Sequence, residues 1–360
     1  MRRTLSRAFA EVDVFTSVPY MGNPLAVVAD AEGLTTEEMQ RFASWTNFSE
    51  TTFLLEPTTG DSDYRVRIFT PDRELPFAGH PTLGTCKVWL DQGGVPRRPG
   101  VIVQECGAGL VTIRSSSRPD DSPGSRPDDS PGDRPGNRRG VSLGDSPGDS
   151  PNNSPGSRRL AFAAPPLARS GPVSAEDLAA ACTILGIDPD GPDTPVVDSN
   201  WVENGPPWMA VLLRSAEDVL ALSPDTSAAA NPRGLFIGVA GPHRPDSASD
   251  PANTDDPAGP ADPASPASPA DPASPASPAD FEVRAFFPLR GALAEDPVTG
   301  SLNASLGQWL TAAGHATAPY TASQGAALGR DGRVYIDQDP DGTIWVGGEV
   351  VTCIQGTVEI

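Results

Sequence analysis

The sequence predicts a mixed α+β protein built from two halves of similar content. Three observations carry that expectation. Short apolar runs bounded by Gly and Pro outnumber helical patterns. The runs fall into two blocks separated by a low-complexity stretch. Each block also contains a proline-bearing turn, with a carboxylate or a histidine, that leads from a strand into a helix. A βαβαβ arrangement fits less well, because the helices do not alternate regularly with the strands.

In the first block, residues 10–15 alternate like a half-buried strand and 25–29 read as another, joined by the Gly- and Pro-punctuated turn 19–24. Thr35 or Thr36 can cap a helix through about Thr46, with Glu37 and Glu38 where the dipole favours anions. Strands follow at 51–55 and 64–69, then a helix from about His80 to Leu90, then strands at 101–104 and 110–114. In the second block a short strand at 160–163 precedes a helix opened by Ser174. Strands at 196–197 and 208–213 precede a helix opened by Ser215. Further strands are expected at 234–239 and 281–286, a helix from Ser301 to about Ala313, and closing strands at 333–336, 343–346 and 348–354.

Two stretches cannot build a core. Residues 116–159 are almost wholly Ser, Arg, Pro, Asp, Gly and Asn, and residues 243–280 repeat Asp-Pro-Ala-Ser-Pro-Ala; together they hold 18 of the 41 prolines and leave 278 residues for folding. Their composition predicts disorder, with polyproline II character in the second. Loop expansion without function accounts for both, since lengthening a loop costs little free energy; docking of a partner is the alternative. The expected organisation is a first half at 8–115, the insert 116–159, a second half at 160–346 that contains the insert 243–280, and a terminal strand at 347–360.

The net charge is −21, of which −15 falls on the folded part. Such a chain repels phosphate backbones and anionic membranes, so neither nucleic acid nor membrane is expected as a partner. No apolar run approaches the length of a spanning helix. The basic N-terminus lacks the apolar stretch of a signal peptide. Cys86, Cys106, Cys182 and Cys353 lack CxxC spacing and read as isolated thiols of a cytoplasmic protein. With three histidines, one inside an insert, a His-based metal site is not expected. There is no GxGxxG after a strand, no P-loop and no GxSxG elbow. Cys106-Gly107-Ala108-Gly109 looks like half of a cysteine racemase pair, has no matching second motif, and reads as a structural turn.

Chemistry concentrates in three places. In the segment from Arg67 to Thr82, Gly79-His80-Pro81 opens a helix whose amides form a carboxylate site beside a histidine able to shuttle a proton. In Glu295-Asp296-Pro297-Val298-Thr299-Gly300-Ser301 a carboxylate, a proline and a Gly-Ser pair open another helix. In Asn47-Phe48-Ser49-Glu50-Thr51-Thr52-Phe53, Glu50 stands between helix and strand with Phe48 and Phe53 nearby, surroundings that raise a carboxyl pKa as a general base requires. Each segment alone has an ordinary reading: a buried hydrogen-bonded His, an Asp or Ser cap, a solvated glutamate. Two such turns in matching halves point instead to a shared cleft for one anionic ligand.

Together these segments resemble the PhzF-like family, the phenazine-biosynthesis isomerase group. The matching stretches are Val12-Asp13-Val14-Phe15, Gly22-Asn23-Pro24-Leu25-Ala26-Val27-Val28, Ser49-Glu50-Thr51-Thr52-Phe53, the Arg67 to Gly84 block, Asn204-Gly205-Pro206-Pro207-Trp208, Glu295 to Ser301, and Ser323-Gln324-Gly325. The resemblance implies the diaminopimelate epimerase-like fold, two halves each wrapping a sheet around a central helix, with the active site in the cleft between them. It implies Glu50 as the acid/base that moves a proton between two carbons. His80 and Asp296 would hydrogen-bond the substrate and adjust that carboxyl, and Ser301 with the amides of Gly79 and Gly300 would hold a substrate carboxylate. Asn23 and Ser49 would complete the substrate-binding set. No metal or other cofactor is implied, and a homodimer is. The substrate would be a small carboxylate of the trans-2,3-dihydro-3-hydroxyanthranilate type. The alternatives are an amino-acid racemase of the same fold, disfavoured because neither helix-opening turn carries a thiol, and a non-catalytic ligand-binding or scaffold protein.

Overall fold

The computed structural model describes residues 4–116, 159–189, 191–227, 231–243, 279–289 and 291–360. The expected disorder of the two inserts therefore lies, apart from their ends, outside the described residues. The chain begins with β1 (Ser6–Val14), β2 (Asn23–Val28), α1 (Thr36–Thr46), β3 (Thr51–Leu55), β4 (Tyr64–Phe69), β5 (Glu74–Leu75), α2 (Gly79–Asp91), β6 (Val101–Cys106) and β7 (Gly109–Ser116). Then come β8 (Arg159–Ala163), β9 (Arg169–Pro172) and α3 (Ala175–Leu185). The opening order now recurs as β10 (Val196–Glu203), β11 (Trp208–Leu213), α4 (Ala216–Leu220), β12 (Phe236–Pro242), β13 (Phe281–Leu289), β14 (Ala292–Asp296), α5 (Gly300–Ala313), β15 (Tyr320–Gln324) and β16 (Gly332–Gln338). The chain ends with β17 (Ile344–Gly348) and β18 (Val350–Glu359).

Strand directions repeat as well. β1 is antiparallel to β2, β2 parallel to β3, β3 antiparallel to β4, β4 parallel to β6, and β6 antiparallel to β7. The same alternation runs through β10, β11, β12, β13, β15 and β16. Each repeat then hands its last strand to the other: β9 pairs with β10, and β18 pairs along β1. The antiparallel β8–β17 pair joins the two repeats into one continuous sheet, and β8 also pairs with β7. The residues 117–158 thus span the β7–β8 hairpin, and residues 244–278 span the β12–β13 hairpin.

The repeat is legible at residue level. Tyr64-Arg65-Val66-Arg67-Ile68-Phe69 on β4 matches Phe281-Glu282-Val283-Arg284-Ala285-Phe286 on β13. Arg67 makes a bidentate pair with Glu74 at 2.7 and 2.6 Å, and Arg284 makes the same pair with Glu295 at 2.9 and 2.8 Å. From those glutamates the halves read Glu74-Leu75-Pro76-Phe77-Ala78-Gly79-His80 and Glu295-Asp296-Pro297-Val298-Thr299-Gly300-Ser301.

Why each strand forms follows from what covers it. One core holds Leu25 and Val27 of β2, Ala210 and Leu212 of β11, Leu83 of α2 and Leu302 of α5. The opposite face of β2 meets α1 through Val28, Met39 and Ala43, and that of β11 packs Met209, Val211 and Leu213 against α3. Burial on both faces explains the continuous apolar runs of these strands. The helix starts agree with expectation: Thr35 forms a capping box with Glu38, and Ser174 and Ser215 cap α3 and α4. The strands β5, β9, β14 and β15 were not expected from sequence, being short or polar. Cys106 and Gly109 pair across a tight β6–β7 turn, as the structural reading of that segment required. His243, assigned by composition to the second insert, is placed one residue beyond β12, its backbone N–H bonded to Asp280 O at 2.8 Å.

The central helices α2 and α5 are buried from residue 79 through Cys86 and from Gly300 through Gly307. They meet at their first residues. A Cβ on Gly79 would lie 2.9 Å from Gly300 C and Cα, and one on Gly300 would lie 2.9 Å from Gly79 Cα. Both obstructions are backbone, so neither can yield as a flexible side chain would. Gly79→Ala and Gly300→Ala are each expected to destabilise the fold by about 1–3 kcal/mol, read as a lowered denaturant midpoint, and to disturb the contact between the two helices, whereas Gly93→Ala, where positive φ is the sole penalty, should cost about 1–2 kcal/mol and leave that contact intact.

Candidate active site

The α2–α5 junction brings the three chemical segments together. The chain leaves α1 through Asn47, which adopts a left-handed conformation, and reaches Glu50 one residue before β3. His80 lies in the first turn of α2, and Asp296 ends β14 ahead of α5. Glu50 Oε2 and His80 Nε2 stand 3.3 Å apart, with the two side chains 17% and 6% exposed. The pair is not aligned for a hydrogen bond, and neither atom has another partner, although both are shielded from water.

Asn23, the first residue of β2, ties His80 to Asp296. Its amide nitrogen donates to Asp296 Oδ1 at 3.0 Å and to Val298 O at 2.8 Å, and sits 3.4 Å from His80 Nδ1. Both acceptors are oxygens, so the amide orientation is fixed with Nδ2 toward the ring. Asn23 was expected to contact substrate. It is fully buried, with its nitrogen committed to Asp296 and Val298 and its Oδ1 without a partner among the described residues.

Burial sets the electrostatics. It pushes the Glu50 carboxyl from 4.5 up to about 8, and the neighbouring Asp296 charge adds to the rise. Asp296 moves from 3.8 to about 6 by burial, against the opposing hydrogen bonds from Thr299 and Asn23. The buried His80 ring falls to about 3 and stays neutral. A hydrogen-bonding but uncharged histidine thus stands beside a carboxyl that exchanges its proton near neutral pH.

The helix starts supply donors. Unlike α1, α3 and α4, neither α2 nor α5 has a side-chain cap. Ser301 was expected as an N-cap in its ordinary reading; the cap position of α5 is Thr299, and Gly300 and Ser301 form the first turn. Ser301 Oγ accepts from Trp208 Nε1 at 3.1 Å, which leaves its own hydrogen to donate, and Asn204 Nδ2 holds Ser301 O at 2.9 Å. Gly79 and Gly300 carry the adjoining amides, and Ser49 is exposed beside Glu50. Trp208, Asn204, Thr299 and Gln324 were not singled out as site residues from sequence, although all four lie in the motifs Asn204–Trp208, Glu295–Ser301 and Ser323–Gly325. Among the described residues no group of three or more His, Cys, Asp or Glu side chains is placed to hold a metal ion, and no helix is long and apolar enough to cross a membrane.

Comparison with known proteins gives this geometry its kin. The family model described as "Phenazine biosynthesis-like protein" matches residues 12–132 and 143–356. The chain belongs to the PhzC-PhzF family. A Schizosaccharomyces pombe relative, "Antisense-enhancing sequence 1", is 30% identical over 359 residues, 97% of each chain. The trans-2,3-dihydro-3-hydroxyanthranilate isomerase of Pseudomonas aeruginosa is 54% identical over 77 residues, which cover 21% of this chain and 27% of that one. The solved PhzF-family protein of Bacillus anthracis superposes with a TM-score of 0.66 over 99% of this chain and 100% of its own, at 20% identity. The fold is therefore of the diaminopimelate epimerase-like, PhzF type, and with its named relatives the chain is classed as an isomerase.

The raised Glu50 carboxyl has a consequence for stability. Between pH 4.5 and about 8 the folded state keeps the Glu50 proton and the unfolded chain has lost it, so stability falls as pH rises through that window. Glu50→Gln removes that dependence. Urea unfolding at pH 9 is expected to find the variant more stable than the wild type by roughly 1–3 kcal/mol, with the gap closing toward pH 5.

Proposed function

We propose that the protein is a cofactor-independent isomerase of a small unsaturated carboxylate, in which Glu50 carries a proton from one carbon to another. The observation that carries this reading is the facing pair of partnerless, shielded polar atoms, Glu50 Oε2 and His80 Nε2, set where two uncapped helix starts meet. The Glu50 carboxylate takes a proton from a substrate carbon, and the C–H electron pair moves into the adjoining double bond. The new carboxyl then returns the proton to the far end of the shifted π system. A carboxyl that exchanges near neutral pH suits both steps. His80 and Asp296 hold the substrate's polar groups and keep Glu50 basic. Ser301 with the Gly79 and Gly300 amides receives the substrate carboxylate, and Ser49 lines the entrance.

The substrate class draws support from the named isomerases among the relatives, one of which acts on trans-2,3-dihydro-3-hydroxyanthranilate. A thiol mechanism draws none. Cys86, in α2, is buried and its pKa is pushed up to about 12, far from a reactive thiolate. The four cysteines are all free, in keeping with a reducing cytoplasmic setting. A homodimer belongs to the same reading, and light scattering of the purified chain tests it.

Proton NMR with the dihydro-hydroxyanthranilate in deuterated buffer tests the chemistry. Wild-type protein is expected to isomerise it or incorporate deuterium, with kcat/KM rising as Glu50 deprotonates toward about 8. Glu50→Gln should lose at least about 100-fold of that rate while remaining folded. A Gln variant with wild-type turnover, or activity abolished by a thiol-blocking reagent, would overturn the assignment. Ser301→Ala is expected to raise KM about tenfold or more with a smaller effect on kcat, since it removes a hydrogen bond to a charged group made before the reaction begins.

A further inference from the structure

We propose that Gln324 is a positioning residue that fixes the direction of the Thr299 hydroxyl, so that the single Thr299 proton is delivered to Asp296 Oδ2. The bonds around Gln324 leave one assignment. Its Oε1 accepts from Thr299 N at 3.0 Å and from Asn303 Nδ2 at 2.9 Å. Its Nε2 donates to Asp296 O at 3.1 Å and to Thr299 Oγ1 at 3.0 Å. A backbone N–H can only donate and a backbone carbonyl can only accept, so the amide cannot be flipped. Thr299 Oγ1 is therefore an acceptor toward Gln324, and its hydrogen is left for Asp296 Oδ2, 2.6 Å away.

The cap geometry of α5 supports the same conclusion independently. Threonine at an N-cap ordinarily turns its oxygen back to an amide of the first helical turn. Thr35, Ser174 and Ser215 all do so. Thr299 holds the cap position of α5 and makes no side-chain cap bond. Its hydroxyl is diverted to the acid, while Gln324 satisfies the Thr299 backbone amide. The first repeat has no such device, because Leu75 and Ala78 occupy the positions of Asp296 and Thr299.

The effect on the site runs through charge. With Thr299 donating to one oxygen and Asn23 to the other, both Asp296 oxygens act as acceptors, which favours the carboxylate form. That negative charge raises the proton affinity of Glu50. The groups that act on Asp296 are Glu50, the neutral His80 linked through Asn23, and Glu295, which is paired with Arg284. None of these side chains is itself replaced by a change at Thr299 or Gln324. The assignment rests on the Glu50 reading above for its catalytic meaning, but not for its test.

Carbon-13 NMR titration of carboxyl-labelled full-length protein is the test, with Glu50 and Asp296 signals assigned through Glu50→Gln and Asp296→Asn. In Thr299→Val the Asp296 midpoint is expected to rise by about one pH unit, while Glu50, which titrates above it with Asp296 still mostly ionised, moves far less. Gln324→Met should produce the same rise in Asp296, and Thr299→Ser, which keeps the hydroxyl, should titrate as wild type. A purely structural role would lower stability and leave the Asp296 midpoint in place; an unchanged Asp296 midpoint in folded Thr299→Val would overturn the proposal. Because no substrate enters the measurement, its outcome is independent of whether the protein isomerises the tested compound.

Discussion

The contact between Gly79 and Gly300 is the constraint on which the rest of the site depends. Two helix starts can approach backbone to backbone only where neither residue carries a Cβ, and the gap would close to 2.9 Å if either did. The approach aims the first amides of α2 and α5 at one spot. It also brings a histidine from one repeat beside an acid from the other, with Asn23 between them. The peripheral helices α1, α3 and α4 satisfy their amides with Thr and Ser caps. The central pair leaves that capacity for an anion, since partial positive charge at a helix start is stabilised by negative charge placed there.

That arrangement is held at some expense to stability. Glu50 and Asp296 share a buried site in which, among the described residues, no Lys or Arg is paired with either of them. In water both would ionise well below neutral pH; here burial makes each reluctant, and the charge of one hinders the other. A lysine beside Glu50 would relieve the strain and also drop its pKa below the range useful for returning a proton to carbon. The amide of Asn23 and the hydroxyl of Thr299 supply hydrogen bonds to Asp296 without charge, and the neutral His80 adds no charge beside Glu50. The same physics therefore makes the site unfavourable for folding at alkaline pH and fit for proton transfer near neutrality.

The sequence made the outline of the fold readable and left its tertiary wiring hidden. β3, β4 and β11 have the residues expected of them, because buried β-branched and aromatic runs bounded by turns leave little choice. Helix starts were legible wherever a Ser or Thr preceded acidic residues. β14 and β15 were missed because Ala-Leu-Ala-Glu-Asp and Tyr-Thr-Ala-Ser-Gln lack apolar periodicity; the polar residues of β15 face hydrogen-bonding partners rather than water. Glu50, His80 and Asp296 were legible because each sits at a junction of elements, and the structure does bring them together. Trp208 and Gln324 were not, since the first acts on Ser301, 93 residues onward, and the second on Thr299, 25 residues back. Asn23 was legible as part of a motif but not in its buried role, which only its three-way geometry reveals.

The duplicated scaffold explains why the chemistry is asymmetric. The segments Glu-x-Pro-x-x-Gly that begin at Glu74 and Glu295 share the same hairpin ion pair and the same approach to the cleft. Where the first repeat has Leu75, Ala78 and His80, the second has Asp296, Thr299 and Ser301. Equal acids in both turns would place a further carboxyl in the same buried space, where not all could ionise together. Equal histidines would leave no hydroxyl to donate to a substrate carboxylate. Under the proposed proton shift, one repeat would contribute the base, Glu50, with the neutral His80 beside it. The other contributes the fixed negative charge and the serine hydroxyl. A proton shift needs a tuned base on one side of the ligand and fixed polar contacts on the other, so symmetry in the backbone is compatible with this site only because it is broken at those three positions.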